Sequence, residues 1–522
     1  MYRAPVISAL ISFAKAGFFS GFVFLALITL DSTPFSWQTS NGIALADDGD
    51  SDGDSDGDSD SDGDSDNGGG TGGGGGGGSG GSSGGGGGSA SGGEGGGEGI
   101  FRNRNRRGPS ARGIRRSIMR VFRRDRPKRQ RTRRARRSAA PVTLAQRATN
   151  EIVALGLSDD QIDQLVTQGY VVLQRDTIQA LAGTIVRLQV PSGTTLDDVR
   201  TAVGALNPQA VTDFNHYYRA GSEGSRLAQN EPSACSGLHC ASPQLIRWPV
   251  NPGSGGTCGA GAAIGLIDTG INPDHETFSG GSLEVLTVAD EKQRESGRQH
   301  GTAVAAILLG SAESRSPGLL PDASIVAVDA FYRAAGNDER SDAYTIVKAM
   351  DLLLQREVAV INMSLAGPAN AVLERMVGQL GTDNVIVVAA AGNAGPRAKP
   401  AYPAAYPNVI AVTAVDRGKR IFRRAVRGEH IDFAAPGVNV WTAASIRGAR
   451  NKTGTSFAAP FVTAAVALVL AGEGVAGHDG VVQALAKDAL DLGEPGKDPI
   501  FGHGLVQANG LCEGAQVSDS AS

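Results

Sequence analysis

Four polar residues in the second half of the chain are of types that could act together on a carbonyl group. They are Asp268, His300, Asn393 and Ser456. A serine hydroxyl becomes a nucleophile when a histidine accepts its proton and a carboxylate orients that histidine. An asparagine amide can donate a hydrogen bond to the oxyanion that forms. This chemistry requires that the fold bring four distant residues to one place.

Two of these residues follow apolar runs that are typical of buried strands. Asp268 ends the run Ala263–Ile267, and Asn393 follows the run Val387–Ala391. Polar groups at the carboxyl ends of parallel strands lie at one edge of the sheet, where open α/β sheets hold their sites. Each residue alone also has a structural explanation, because Asp caps helices and Asn between glycines forms turns.

The other two residues open helices of small and apolar residues. His300 begins His300–Ile307, and Ser456 precedes an apolar stretch with Pro460 in its first turn. A hydroxyl at a helix N-terminus lies where the helix dipole favours developing negative charge. A structural histidine and an ordinary serine N-cap are the alternatives for these two positions.

The local contexts of the four residues, taken in chain order, resemble the subtilisin-like serine proteases (the subtilase family). The matching segments are Asp268-Thr269-Gly270, His300-Gly301-Thr302, Gly392-Asn393 and Gly454-Thr455-Ser456-Phe457-Ala458-Ala459-Pro460, in the order Asp, His, Ser over residues 240–510. The resemblance implies a serine endopeptidase. Asp268, His300 and Ser456 would be its catalytic triad, and Asn393 would stand in its oxyanion hole.

The same resemblance implies where a substrate would bind. Ala401 stands where the family often has Gly, and Ala394 lacks a polar group that some relatives carry, so we expect a medium-sized apolar P1 residue. Ala303 and Phe457 stand where His and Met are frequent, and both changes leave the reacting atoms in place. The residues expected to contact substrate are Ser364, Leu365, Ala366, Gly367, Ala390, Gly392 and Ala401.

The order of elements predicts two folded domains. Residues 235–515 alternate continuously apolar strands with helices, which is typical of an α/β doubly wound parallel sheet. Residues 141–220 have the order βαββαβ of a small ferredoxin-like α+β domain. By its position this domain resembles the family's propeptide, which assists folding and then blocks the active site with its C-terminal tail, here Asn215–Arg219. We expect self-cleavage near Tyr217–Ala220.

The first 140 residues have a different character. Residues 1–46 contain an apolar run and an Ala-Leu-Ala motif, which predict a signal peptide with transient membrane contact; an uncleaved segment would instead tether the chain. Residues 47–99 hold an Asp repeat with 11 Asp and a Gly-rich tract, and residues 100–140 form an Arg-rich arm with 18 Arg or Lys. Both are predicted to be disordered. Four roles stay open for these tracts. They could be solvated tethers, surface anchors or sites of proteolytic nicking, or the Arg-rich arm could associate with the Asp repeat.

Charge and cysteine content limit the function classes. The net charge of −4 averages these opposed blocks, and residues 141–522 hold 29 basic and 38 acidic residues, so composition offers no case for nucleic-acid binding. The four cysteines fit two interpretations. Cys235 with Cys240 and Cys258 with Cys512 would form disulfides in an exported chain, whereas a zinc site would use His239 beside Cys240.

These features predict a secreted or periplasmic, monomeric endopeptidase made as a self-processing zymogen. Its partners would be protein or peptide substrates and its own propeptide. The chemistry needs no cofactor; structural calcium is common in the family, and the sequence assigns it no ligands. The alternatives are an adhesion protein that uses this fold without turnover, and a surface-attachment role for residues 47–140 alone.

Overall fold

The computed structural model describes residues 144–221, 241–249, 259–290, 292–335, 338–472 and 474–511. All of them belong to one structural unit, Gln130–Ser522. The predicted signal peptide, linker and Arg-rich arm (residues 1–140) lie outside the described residues, and so do all four cysteines. In the part of the chain that is described, none of the helices combines the length and apolarity needed to cross a bilayer.

The small N-terminal domain has the predicted order βαββαβ. Its sheet is antiparallel with the strand order β2-β3-β1-β4. Both helices begin with a capping box, one built by Ser158 and Gln161 and the other by Thr195 and Asp198, and each box satisfies two backbone N–H groups at the helix start. The elements are β1 (Arg147–Leu155), α1 (Asp159–Thr167), β2 (Val171–Ile178), β3 (Gly183–Gln189), α2 (Leu196–Leu206) and β4 (Val211–Ala220).

The large domain follows and contains the predicted alternation of strands and helices. Its first half comprises α3 (Ala241–Leu245), β5 (Ala263–Asp268), β6 (Ser282–Thr287), β7 (Arg294–Glu295), α4 (Gln299–Leu309), β8 (Ser324–Asp329), β9 (Tyr332–Arg333), β10 (Glu339–Asp342) and α5 (Ala343–Leu354). Its second half comprises β11 (Val360–Met363), β12 (Leu365–Ala366), α6 (Ala371–Thr382), β13 (Ile386–Ala390), β14 (Val409–Val415), β15 (Phe433–Pro436), β16 (Val440–Ala443), β17 (Ala449–Lys452), α7 (Ala459–Ala471) and α8 (Gly477–Asp488).

Seven strands of the large domain form a parallel sheet in the order β15-β14-β13-β11-β5-β8-β6. Side chains alternate between its two faces. Leu266 of β5 packs in the core cluster that contains α4 and α7, whereas the next residue, Ile267, packs in the cluster that contains α5 and α6. Helices therefore cover both faces, which confirms the predicted doubly wound α/β fold and explains why its strands are apolar throughout.

The last strand of the small domain continues its sheet into the large domain. β4 pairs antiparallel with β10, where Tyr218 lies opposite Ser341, and with β12, where Ala220 lies opposite Leu365. The resulting sheet runs β2-β3-β1-β4-β10-β9-β7. The C-terminal end of β4 is thus held between two strands of the large domain.

Two helical glycines give a test of this packing. A Cβ on Gly301, in α4, would overlap the carbonyl oxygen of Thr269 and lie 2.7 Å from that of Gly270, whereas a Cβ on Gly378, in α6, would meet no atom within 4 Å. We expect Gly301→Ala to lower the free energy of unfolding by about 1–3 kcal/mol through overpacking. Gly378→Ala should raise it by up to about 1 kcal/mol through helix propensity.

Urea unfolding followed by circular dichroism would measure both effects in a chain that also carries Ser456→Ala, which removes the expected nucleophile. Equal stability of the two glycine variants would contradict the tight contact between α4 and the turn after β5.

Candidate active site

Asp268 and His300 are in direct contact at the carboxyl edge of the parallel sheet. Asp268 is the last residue of β5 and is 1% exposed; His300 is the second residue of α4 and is 6% exposed. His300 Nδ1 lies 2.6 Å from Asp268 Oδ1, which also accepts a hydrogen bond from the Thr269 N–H at 2.7 Å. With the carboxylate oxygen as the acceptor of this hydrogen bond, Nδ1 is the donor, and Nε2 is the ring nitrogen left to accept a proton.

Neighbouring groups hold the start of α4 in place. Thr269 Oγ1 accepts a hydrogen bond of 2.9 Å from the Gly301 N–H, which ties the helix to the turn after β5. The Phe457 ring lies 5.2 Å from the His300 ring, centroid to centroid. Phe457 occupies one of the positions where this sequence departs from the commonest family residue, and its ring packs directly against the imidazole.

Ser456 lies in a single 3₁₀ turn, Thr455–Phe457, directly before α7. Its Oγ is 3.1 Å from the carbonyl oxygen of Ser364 and 3.2 Å from that of Gly221. His300 Nε2 is buried and has no hydrogen-bond partner among the described residues. The serine hydroxyl is therefore turned toward these two carbonyl groups and not toward the imidazole.

Asn393 follows β13 and its amide is oriented by hydrogen bonds on both sides. Its Oδ1 accepts from Thr455 N at 3.1 Å and from Thr455 Oγ1 at 3.0 Å. With the oxygen fixed in this way, Nδ2 faces the site and donates to the carbonyl oxygen of Gly221 at 3.0 Å. The structure thus brings Asn393 and Ser456 to the same carbonyl group.

The residues expected to contact substrate lie around this point. Ser364 Oγ donates to the Ser456 carbonyl oxygen at 2.8 Å, Leu365 and Ala366 form β12, and Gly367 pairs with Tyr402. Ala390 ends β13 and is buried.

Gly392 has a φ of +97°, in the region that favours glycine. A Cβ built on it would lie 3.3 Å from the Ala401 Cβ and 3.7 Å from the Ala366 Cβ. These three residues therefore border one small space.

Sequence reasoning missed two features of the site. One is β10, whose four residues Glu339–Asp342 include three charged side chains and show no apolar pattern. The other is Gly221, one residue beyond the range in which we expected cleavage, whose carbonyl group lies at Ser456 and Asn393. For Gly221 the sequence offers one hint, because the two small residues Ala220-Gly221 are followed by a polar stretch.

A buried carboxyl group lies beside Asp268. Asp329 is opposite Asp268 in the pairing of β8 with β5, and Ser296 Oγ lies 2.9 and 3.0 Å from its two carboxylate oxygens. Burial raises the pKa of Asp329 to about 6, an effect that hydrogen bonds from Phe331 N and Ser296 oppose and the charge of Asp268 reinforces. No cluster of three metal-binding side chains occurs among the described residues, so calcium still has no ligands assigned.

Comparison with known proteins identifies relatives of the large domain. A model of the Subtilase family matches residues 259–504. Subtilisin DY of Bacillus licheniformis is 32% identical over 264 residues, which are 49% of this chain and 92% of that protein. Minor extracellular protease Epr of Bacillus subtilis is 29% identical over 288 residues, which are 54% of this chain and 43% of that protein.

The fold also has a counterpart among solved structures. Fervidolysin from Fervidobacterium pennivorans superimposes with a TM-score of 0.57 at 19% identity, covering 71% of this chain and 61% of that one. At this identity the likeness concerns the fold alone. The match to the family model and the 32% identity across nearly all of subtilisin DY establish the family as well as the fold. This chain belongs to the subtilase family of serine endopeptidases.

Proposed function

We propose that this chain is a secreted endopeptidase that hydrolyses peptide bonds through Asp268, His300 and Ser456. The single observation that carries the proposal is the convergence of Ser456 Oγ and Asn393 Nδ2 on one peptide carbonyl oxygen, at 3.2 and 3.0 Å. In the reaction, rotation of the Ser456 side chain turns its hydroxyl to His300 Nε2, which accepts the proton as Oγ attacks the carbonyl carbon.

The remaining groups stabilise charge. The Asp268 carboxylate, 2.6 Å from His300 Nδ1, keeps the imidazole in the required tautomer and stabilises the imidazolium that forms. Asn393 Nδ2 donates to the oxygen that becomes negative in the tetrahedral intermediate. His300 then gives its proton to the leaving amine, and water releases the acyl group from Ser456 by the same steps in reverse.

We further propose that the domain at 141–220, extended to Gly221, is the propeptide of a zymogen. Its tail pairs with β10 and β12, so it occupies the cleft that a substrate backbone would use. The Asp213 carboxylate accepts from Ala371 N at 2.9 Å, at the N-terminus of α6, where the helix dipole favours an anion.

Further contacts hold the small domain on the large one. Asn370 donates to Phe214 O at 2.9 Å, beside α6. On α5, Asp351 accepts from Ala180 N at 2.8 Å. Until this domain leaves, it excludes substrate.

The position of the tail favours Gly221–Ser222 as the bond that the enzyme cuts in itself. The Gly221 carbonyl is the group at Ser456 and Asn393, which makes Gly221 the P1 residue and Tyr218 the P4 residue. The Tyr218 side chain is fully buried, and its hydroxyl donates to Pro368 O at 2.9 Å. Export to the extracellular space or periplasm, through the signal predicted in residues 1–46, remains part of this proposal, as do a monomeric state and peptide substrates.

An adhesion protein without turnover is the second candidate, and the filled catalytic positions argue against it. Replacing Ser456 separates the two. Ser456→Ala should leave a chain of full length after the signal, whereas the unmodified chain should lose residues 47–221 and begin at Ser222, because the nucleophile that cuts the bond is its own. Immunoblotting and N-terminal sequencing of the exported protein would measure this. Ser324→Ala is the matched control and should mature normally, because Ser324 is the first residue of β8, at the end of that strand away from Asp329 and the site.

Normal maturation of the Ser456→Ala chain would show that another protease removes the domain. A serine-directed phosphonyl or sulfonyl reagent addresses activity separately: it should stop peptide hydrolysis by the mature protein, with the adduct located on Ser456 by mass spectrometry. An adduct elsewhere, or none, would contradict the proposed nucleophile.

The role of Asn393 is tested by removing its donor. Asn393→Ala should lower kcat by about 10²–10³-fold with a small change in KM, because the lost hydrogen bond is strongest to the oxyanion of the transition state. Steady-state kinetics on a model peptide would separate the two constants. Since Asn393 also holds Thr455, labelling of Ser456 by the same reagent should be checked first. A rise in KM at unchanged kcat would contradict the role.

The identity of residue 401 should set the size of the P1 side chain that the enzyme accepts. Ala401→Gly removes a methyl group that borders the space near Gly392, so peptides with P1 Phe or Tyr should gain about 5- to 100-fold in kcat/KM, the overpacking scale. Peptides with P1 Ala should change little and serve as the control. A scan in which either form prefers P1 Arg or Glu would contradict an apolar P1 preference.

A further inference from the structure

The tail residue Arg219 makes an ion pair with the large domain at the rim of the cleft. Arg219 Nε donates to Asp338 Oδ1 at 2.7 Å, and Nη2 donates to Asp338 Oδ2 at 2.9 Å. The pair is largely shielded from water, with side-chain exposures of 19% for Arg219 and 8% for Asp338. Two parallel charge-assisted hydrogen bonds to one carboxylate are the geometry that favours arginine over lysine.

The strand pairing explains why this residue of the tail reaches Asp338. Tyr218 lies opposite Ser341 and Tyr217 opposite Asp342, so the antiparallel register places Arg219 opposite Arg340. Asp338 directly precedes β10 and is the diagonal neighbour of Arg219, within reach of a long side chain. On its other side Arg219 pairs with Ala366 of β12. Any peptide that binds in the same register presents its P3 side chain to Asp338.

Asp338 is held ready for a cation by the protein around it. Arg340 Nη1 donates to Oδ2 at 3.1 Å, which fixes the carboxylate but leaves Oδ1 to Arg219. Arg340 is itself held by the large domain, since its Nε donates to the Tyr332 hydroxyl at 3.1 Å. The Tyr217 ring, whose centroid lies 3.8 Å from the Arg340 guanidinium, belongs to the tail and leaves with it. Glu339, the residue after Asp338, is bound to Gly297 N and Arg333 instead.

We propose that Asp338 is a specificity-determining residue that selects a basic residue, arginine before lysine, at the P3 position of the peptides this enzyme cleaves. The inference rests on the proposed function, because it takes the tail of the small domain as a peptide bound in the substrate register. One contact of Arg219 belongs to the small domain alone: Nη2 also donates to Ala145 O at 2.7 Å. A free peptide lacks that contact and keeps the two bonds to Asp338.

The experiment uses the full-length chain, expressed and allowed to mature, and quenched fluorescent peptides that contain Tyr-Arg-Ala-Gly-Ser-Glu, the sequence of residues 218–223. The P3 residue is varied among Arg, citrulline, Lys, Ala and Glu. Citrulline has the shape of arginine without its charge, so the ratio of kcat/KM for Arg to that for citrulline isolates the ion pair. We expect a ratio of about 5- to 30-fold, between the values typical of exposed and of charge-assisted pairs, and a smaller preference for Lys.

Asp338→Asn should bring the Arg-to-citrulline ratio close to one, and Asp338→Arg should favour P3 Glu over P3 Arg. Asp322→Asn is the control, because it makes the same change in net charge at an exposed residue outside the cleft and should keep the ratio of the unmodified enzyme. Each ratio is measured within one preparation, so differences in the folded fraction cancel.

The outcomes distinguish this inference from the function on which it rests. A ratio near one in the unmodified enzyme, or one that Asp338→Asn leaves unchanged, would overturn the role of Asp338 while Ser456-dependent hydrolysis of the peptides would still support the protease. Failure of every form to cleave any peptide would instead overturn the proposed function and the P3 preference with it.

Discussion

The parallel pairing of β5 with β8 on one side and β11 on the other is the constraint on which the site depends. It places Asp268 at the carboxyl edge of the sheet. Because both faces of the sheet must be covered, α4 and α7 pack against it on the same side. Their N-terminal ends then carry His300 and Ser456 to the edge where Asp268 lies. The site is therefore a consequence of how a buried parallel sheet is closed.

The second organising interaction is the antiparallel pairing of β4 with β10 and β12. Backbone hydrogen bonds of this kind do not depend on which side chains the strand carries. The cleft can therefore hold the tail of the small domain and, in our proposal, the substrates that replace it. Selection then falls to the side chains along the tail. Tyr218 is buried and its hydroxyl donates to Pro368 O, whereas Arg219 pairs with Asp338 at the rim of the cleft. Gly367 permits the close approach, since a Cβ there would lie 2.9 Å from Tyr217 O.

The charged and polar groups of the site lie in a buried environment at the carboxyl edge of the sheet. Asp268 and His300 are hydrogen-bonded to each other and almost fully buried, and the Phe457 ring packs against His300. Asp329, next to Asp268 across the sheet, keeps a raised pKa because it is buried, and its oxygens accept hydrogen bonds from Ser296 Oγ and Phe331 N. Low dielectric at this point strengthens the Asp268–His300 hydrogen bond and makes any unpaired charge nearby costly.

The sequence by itself determined the elements, because strand and helix formation depend on local apolar periodicity and caps. The order of elements in both domains and the covered sheet could be read from short segments, whereas the proximity of Asp268 to His300 followed from the resemblance to the family.

Only the tertiary structure decided that the carbonyl group at Ser456 belongs to Gly221. It also decided that Ser456 faces carbonyl groups, which leaves His300 Nε2 without a hydrogen-bond partner among the described residues. The ion pair of Arg219 with Asp338 is likewise visible only there. These contacts join residues at least 92 positions apart, and β10 has no apolar pattern from which it could be predicted. Their physical basis is strand register across two domains, which no local sequence pattern specifies.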